Sequence, residues 1–110
     1  MATSLNCQKD WKTFGVLSVE GIVTYSSNRG AAHLGTLVGS EKFYDYVRRF
    51  GFGEKTGLDI GIESRGILHP VRNWDGLTLS RMTMGHAISA TPLQIHYAMA
   101  SVANGGLLMR

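Results

Sequence analysis

Two short groups of residues in this sequence have the types that acyl transfer uses. Lys55-Thr56-Gly57, within "FGFGEKTGLD", sets an ammonium, a hydroxyl and a flexible amide in succession, and the same triplet is among the motifs of serine acyl-transfer enzymes. Ser26-Ser27-Asn28 is the other group. A hydroxyl donates and accepts at once, and a side-chain amide can hold a carbonyl and an ammonium together, which suits a proton-shuttling acyl transfer. On its own, Ser-Ser-Asn reads as a capping turn, because these residues are common where a helix ends and a loop begins.

Other chemistries find less support. His33, His69, His86 and His96 fall in four different expected elements, and no pair has the i, i+4 spacing that sets two ligands on one helix face. They read as structural or surface residues, and no metal or cofactor is expected. Cys7 is the single cysteine, which excludes an internal disulfide and a multi-cysteine metal site. Glu63 has the form of a general base without a neighbouring nucleophile, and with Trp74 and His86 it reads as structural. The net charge of +3 is mild and the basic residues are dispersed, with Arg48-Arg49 the only adjacent pair, so no nucleic-acid partner is expected. No apolar run approaches the length of a spanning helix, and "MATSLNCQKDWK" has no signal-peptide core.

Apolar residues at 44% and charged residues at 17% describe an ordinary globular chain of 110 residues, one domain or a part of one. Trp11, Phe14 and Val16 are expected to reach a core. Ser18 suits an N-cap ahead of Val19, Ile22, Val23 and Tyr25, a short helix. Ala31, Leu34, Leu37 and Val38 give a second helix, with Gly35 an unfavourable residue in its middle. Ser40 reads as the cap of "EKFYDYVRRF", with Phe43, Tyr46, Val47 and Phe50 as its apolar stripe and Gly51 as its left-handed end. Residues 51–78 read as a Gly-rich extended loop, with at most short strands around Leu58 to Ile62. Thr91 and Pro92 open a last helix that runs to Asn104-Gly105-Gly106, after which "LLMR" suggests the start of a strand.

The phrases "TYSSNRGAAHLG", "EKFYDYVRRFGFGEKTGLD", "ESRGI", "TPLQIHYA" and "ANGG" occur in this order, and the set resembles the transpeptidase domain of class B penicillin-binding proteins over residues 13–109. The resemblance implies an α/β fold of the β-lactamase/transpeptidase type, of which this chain holds mainly the helical subdomain and the Gly-rich loop after it. It further implies a serine-x-asparagine motif at Ser26 and Asn28. Ser26 would relay a proton toward the leaving amine, and Asn28 would hydrogen-bond the substrate's peptide carbonyl and orient a catalytic lysine. The implied partners are a peptidoglycan stem peptide and β-lactams. The parent protein would be membrane-anchored and act on the extracytoplasmic face of the cell membrane, in septation or elongation.

The resemblance also reassigns the lysine triplet. The family's catalytic Lys-Thr-Gly lies on a strand well after the "ANGG" segment and is usually followed by Thr or Ser, whereas here Leu58-Asp59 follow and a helix end lies one turn before. Lys55-Thr56-Gly57 is therefore expected to be a turn with a solvated lysine. Acyl transfer of this kind needs a serine with lysine three residues later, on the same helix face, and no serine here has one. The chain by itself is thus expected to be inert. Smaller departures are Gly61-Ile62, where the family commonly has Pro-Gly, and His86-Ala87, where it commonly has Gln-Gly. A non-catalytic helical binding module, and a β-lactam sensor or β-lactamase relative, stand as alternatives.

Overall fold

The computed structural model describes residues 10–109. Ser18 accepts a hydrogen bond from the Gly21 amide at 3.0 Å and starts α1, Val19–Thr24, as its position before an apolar-spaced run predicts. Ser27 caps α2, Asn28–Val38, by accepting from the Gly30 amide at 3.0 Å. One residue, Gly39 at φ +86°, then joins α2 to α3, Ser40–Arg49. Ser40 is accordingly not the cap expected of it. With two helices separated by a single residue, Gly39 occupies the capping position, and Ser40 is the first helical residue with no side-chain bond at that end.

Helix α3 ends at Phe50 and Gly51, the latter at φ +91° as expected. Its buried side differs from the expected stripe. Phe43, Tyr44 and Val47 are half-buried, while Tyr46 and Phe50 are exposed. The difference comes from Tyr44, whose ring packs edge-on against Trp74 with centroids 6.0 Å apart and turns the helix toward the segment around residues 71–74. Of the three residues expected to reach a core near the N-terminus, Phe14 is half-buried; Trp11 is mostly exposed and Val16 fully so, against the expectation for both.

After α3 the chain runs irregularly to a 3-10 turn at Val71–Asn73, then a short helix α4, Thr78–Thr83, and finally α5, Pro92–Ala103. No strand forms around Leu58 to Ile62, where the backbone pairs with no ladder partner among the described residues; the one β-bridge among them joins Ile67 to Ser89, with N–H···O distances of 2.8 and 2.9 Å. Nor do Leu107–Met109 begin a strand. Asn104 closes a turn there instead, its carbonyl accepting from the Leu107 amide at 2.9 Å and its amide donating to the Leu107 carbonyl at 2.7 Å.

The tightest packing is that of α2 on α4. A Cβ on Gly35 would stand 2.2 Å from Thr83 Cγ2, so the glycine that weakens α2 as an isolated helix is what lets α4 approach. Ala32, one turn earlier, is completely buried, and with Met82 and Ala98 it makes up the fully buried apolar set among the described residues. The opening of α5 carries a capping box: Gln94 donates its amide to Thr91 Oγ1 at 3.1 Å, and Thr91 donates its amide to Gln94 Oε1 at 2.9 Å.

The departure at His86-Ala87 has a backbone consequence. Ala87 sits at φ +60°, in the left-handed region where the resembled family commonly has glycine. Ala87→Gly should therefore stabilise the fold by about 1 kcal/mol, the left-handed penalty less the entropy glycine adds to the unfolded chain. Equilibrium urea unfolding of the two proteins, compared at equal m-value, measures this, and a lower midpoint for the glycine variant would contradict it.

Candidate active site

The turn between α1 and α2 is built so that two neighbouring serines have different fates. The Ser26 amide donates to the Val23 carbonyl at 3.2 Å and the Ser27 amide to the Ile22 carbonyl at 3.0 Å, which folds the chain back on the end of α1. Ser26 is thereby held at φ +52°, an uncommon conformation for a residue with a Cβ, and its side chain is exposed. Ser27 is buried, and its hydroxyl is used twice, accepting from the Gly30 amide and donating to Asp10 Oδ2 at 2.8 Å. Asn28 is the first residue of α2 and is exposed at the same end. The two site residues expected from the sequence thus stand on either side of a serine that is wholly committed to structure.

Asp10 had no sequence signal, being 17 residues from Ser27 with no periodic relation to it, yet it organises this turn. Its carboxylate takes the Ser27 hydroxyl on Oδ2 and the Arg29 amide on Oδ1 at 3.0 Å. Partial withdrawal from water would raise its pKa. The Arg29 amide, the Ser27 hydroxyl, the Asn28 amide and the charge of Arg29 together outweigh that and hold the carboxyl below its usual range. The Trp11 indole donates to the Tyr25 carbonyl at 3.0 Å, and Trp11, Phe14 and Tyr25 pack on one another beneath the ammonium of Lys12. An open cavity of about 560 Å³ lies beside the turn, edged by Asp10, Lys12, Phe14, Ser27, Arg29 and His33.

Lys55-Thr56-Gly57 is arranged quite differently. Glu63 folds back on the triplet, with Oε1 accepting from the amide and hydroxyl of Thr56 and Oε2 from the Gly57 amide at 3.1 Å. The amides and hydroxyl that a substrate-gripping strand would offer are already taken, and Lys55 projects into solvent. Glu63 is structural, as its lack of a neighbouring nucleophile suggests. His69, His86 and His96 are exposed and scattered, and among the described residues no three of His, Cys, Asp and Glu gather as a metal site. Cys7 lies outside the described residues.

The family model for the penicillin binding protein transpeptidase domain matches residues 3–110. This chain belongs to that transpeptidase family. Penicillin-binding protein PbpB of Mycobacterium tuberculosis is 37% identical over 87 residues, covering 79% of this chain and 13% of that protein. The peptidoglycan D,D-transpeptidase MrdA of Acinetobacter baumannii is 33% identical over 110 residues, covering 89% of this chain and 16% of that protein. Among solved structures, penicillin binding protein 3 of Mycobacterium tuberculosis complexed with aztreonam superposes with a TM-score of 0.83 at 35% identity, over 88% of this chain and 22% of the other. The chain therefore spans well under a fifth of the length of these curated relatives. Its fold is that of penicillin-binding protein transpeptidase domains, and the described residues supply a helical part of it. No helix among them is long and apolar enough to cross a membrane.

Within the transpeptidase family frame, the Glu63 clamp makes a pH-dependent contribution that can be measured. The Thr56 hydroxyl lowers the Glu63 carboxyl most; some desolvation opposes it, and the amides of Thr56 and Gly57 and the charge of Lys55 add to the lowering. A folded-state value below the unfolded one means that the stabilisation is complete above the ordinary glutamate range and is lost as pH falls through the lowered value. Glu63→Gln should flatten the acid side of the stability curve, while Lys55→Ala should shift stability little at any pH. Unfolding midpoints from pH 7 down to pH 3 test both, and parallel curves for the wild type and Glu63→Gln would show the clamp to be inert.

Proposed function

We propose that this chain forms part of a peptidoglycan D,D-transpeptidase, an enzyme that cross-links cell wall by acylating a serine with the end of one stem peptide and passing the acyl group to an amine on another. The observation that carries the proposal is the geometry of the α1–α2 turn in a chain of this family: Ser26 held exposed at a strained φ, Asn28 exposed beside it, and Ser27 between them fully occupied. Strain of this kind costs on the order of 1–3 kcal/mol and persists where the surroundings over-determine it, a pattern that gathers at functional sites.

In this proposal Ser26 and Asn28 are this chain's contribution to the mechanism. The Ser26 hydroxyl accepts a proton from one side and delivers one on the other, serving the leaving amine. The Asn28 carbonyl oxygen takes a hydrogen bond from a catalytic ammonium while its NH₂ donates to the substrate's peptide carbonyl, so the two reacting partners are held in one frame. The stem peptide is the natural acyl donor. β-Lactams are its mimics, in keeping with the aztreonam and ampicillin complexes of the Mycobacterium tuberculosis relative. The enzyme would act at the extracytoplasmic face of the cell membrane. The 110 residues contain no serine followed three positions later by lysine, so the nucleophile is not among them.

Two measurements with a fluorescent penicillin test this. The 110-residue chain alone should show no stable covalent label, and a labelled band surviving denaturing electrophoresis would sink the assignment of the nucleophile elsewhere. In the complete transpeptidase that carries this segment, Ser26→Ala and Asn28→Ala should each slow acylation by about 10²- to 10⁴-fold, the usual contribution of a positioned proton-transfer group. Unaltered acylation rates in both variants would remove Ser26 and Asn28 from the site.

A further inference from the structure

We infer that Asp10 is a positioning residue for the Ser26–Asn28 pair, acting through the backbone of the turn; this rests on the functional reading of those two residues given above. The carboxylate reaches two residues of the junction, receiving the Ser27 hydroxyl and the Arg29 amide. Those groups belong to the cap and first turn of α2, where four amides lack helical partners and a negative charge is favoured. Asp10 therefore does for the Arg29 amide what the Ser27 side chain does for Gly30. Between them they leave the start of α2 with one available geometry.

That geometry is what keeps Ser26 at φ +52°. The Ser26 and Ser27 amides bind back to α1, and Asp10 anchors Ser27 and Arg29 to the segment ahead of α1, so the strained residue is gripped from both sides. With Asp10 removed, the Ser27 hydroxyl and the Arg29 amide lose their acceptor, and Ser26 is free to relax toward ordinary φ values. The Trp11 bond to the Tyr25 carbonyl ties the same N-terminal segment to the front of the turn, so Asp10 and Trp11 hold it as a pair of struts. Arg29, Lys12 and His33 edge the cavity on this side. The charge of Arg29 favours a carboxylate at position 10 over a neutral amide.

The test is a cycle in the complete transpeptidase that carries this segment, reading acylation rate by a fluorescent penicillin together with the thermal midpoint. Asp10→Asn, which preserves size and one acceptor, should slow acylation by about 10- to 100-fold, the scale of a small misplacement of reacting groups, while the midpoint moves by only a few degrees. Added to Ser26→Ala, the same substitution should cost little more than Ser26→Ala alone, because Asp10 works through that turn. Multiplicative losses in the double variant, or wild-type acylation by Asp10→Asn beside a slow Ser26→Ala, would overturn the role of Asp10 and leave Ser26 in place. Wild-type acylation by Ser26→Ala would overturn the functional reading itself, and the inference with it.

Discussion

One buried primary amide holds the second half of this molecule together. Gln94, 2% exposed, donates from Nε2 to the carbonyls of Glu54 and Arg65, each at 2.8 Å, while its Oε1 accepts from the Thr91 amide. The two carbonyls lie 40 and 29 residues back in the chain, on a stretch with no ladder of its own beyond the Ile67–Ser89 bridge. Each such bond is worth about 1 kcal/mol net, but leaving a buried partner unpaired costs about 1–3 kcal/mol, so the loop is held as much by the penalty for leaving as by the gain for staying. Gly66 shows how close the approach is: a Cβ there would lie 2.2 Å from the Ser89 carbonyl oxygen and 3.1 Å from Gln94 Oε1. Replacing the usual sheet, a side chain acts as the local hydrogen-bond template.

That arrangement explains what could and could not be read from the sequence. Helices α1, α2 and α5 announce themselves locally, through Ser18, the apolar spacing after Ser27, and Thr91-Pro92 with Gln94 at the third helical position. Helix α4 does not. Its six residues carry no side-chain cap, and they are helical because Thr83 and Met82 pack against α2. The order of residues 51–70 was hidden for a related reason, since it depends on partners tens of residues away. The phrases "TPLQ" and "ESRGI" are visible as family markers, but that they mark Gln94 and Gly66, two sides of one junction, is visible only in three dimensions. At the candidate site the same division holds: Ser26 and Asn28 stand out through the company their motif keeps, while Asp10 needs the fold to bring it there.

The surface shows how partial the burial is. Ile95, Met99 and Val102, spaced as one face of α5, are each at least half exposed, and Val19 and Val23 on α1 are similar. The radius of gyration of 15.1 Å compares with about 13 Å for a compact domain of this length. An apolar stripe on a helix whose opposite side already carries Gln94, Ala98 and Ser101 is one layer of a core seen from its open face. The family fold agrees, because in a layered α/β domain such a face lies against a sheet, and the solved transpeptidase domains that superpose on this chain are about three to four times its length.

Hydrogen-bond saturation separates the two candidate motifs more sharply than residue type does. Lysine, threonine and glycine in succession are as plausible a set of reacting groups as serine, serine and asparagine. Glu63, however, consumes the Thr56 hydroxyl and the amides of Thr56 and Gly57, and leaves the Lys55 ammonium in water. In the α1–α2 turn the demand of the helix end falls entirely on Ser27 and Asp10. Because those two meet the structural need, the Ser26 side chain is spared it, while the backbone bonds of Ser26 and Ser27 to the end of α1 hold the residue at its left-handed φ. A turn of this design leaves one serine side chain without a structural duty beside one committed to it, and that division between neighbours is what the proposed role of Ser26 draws on.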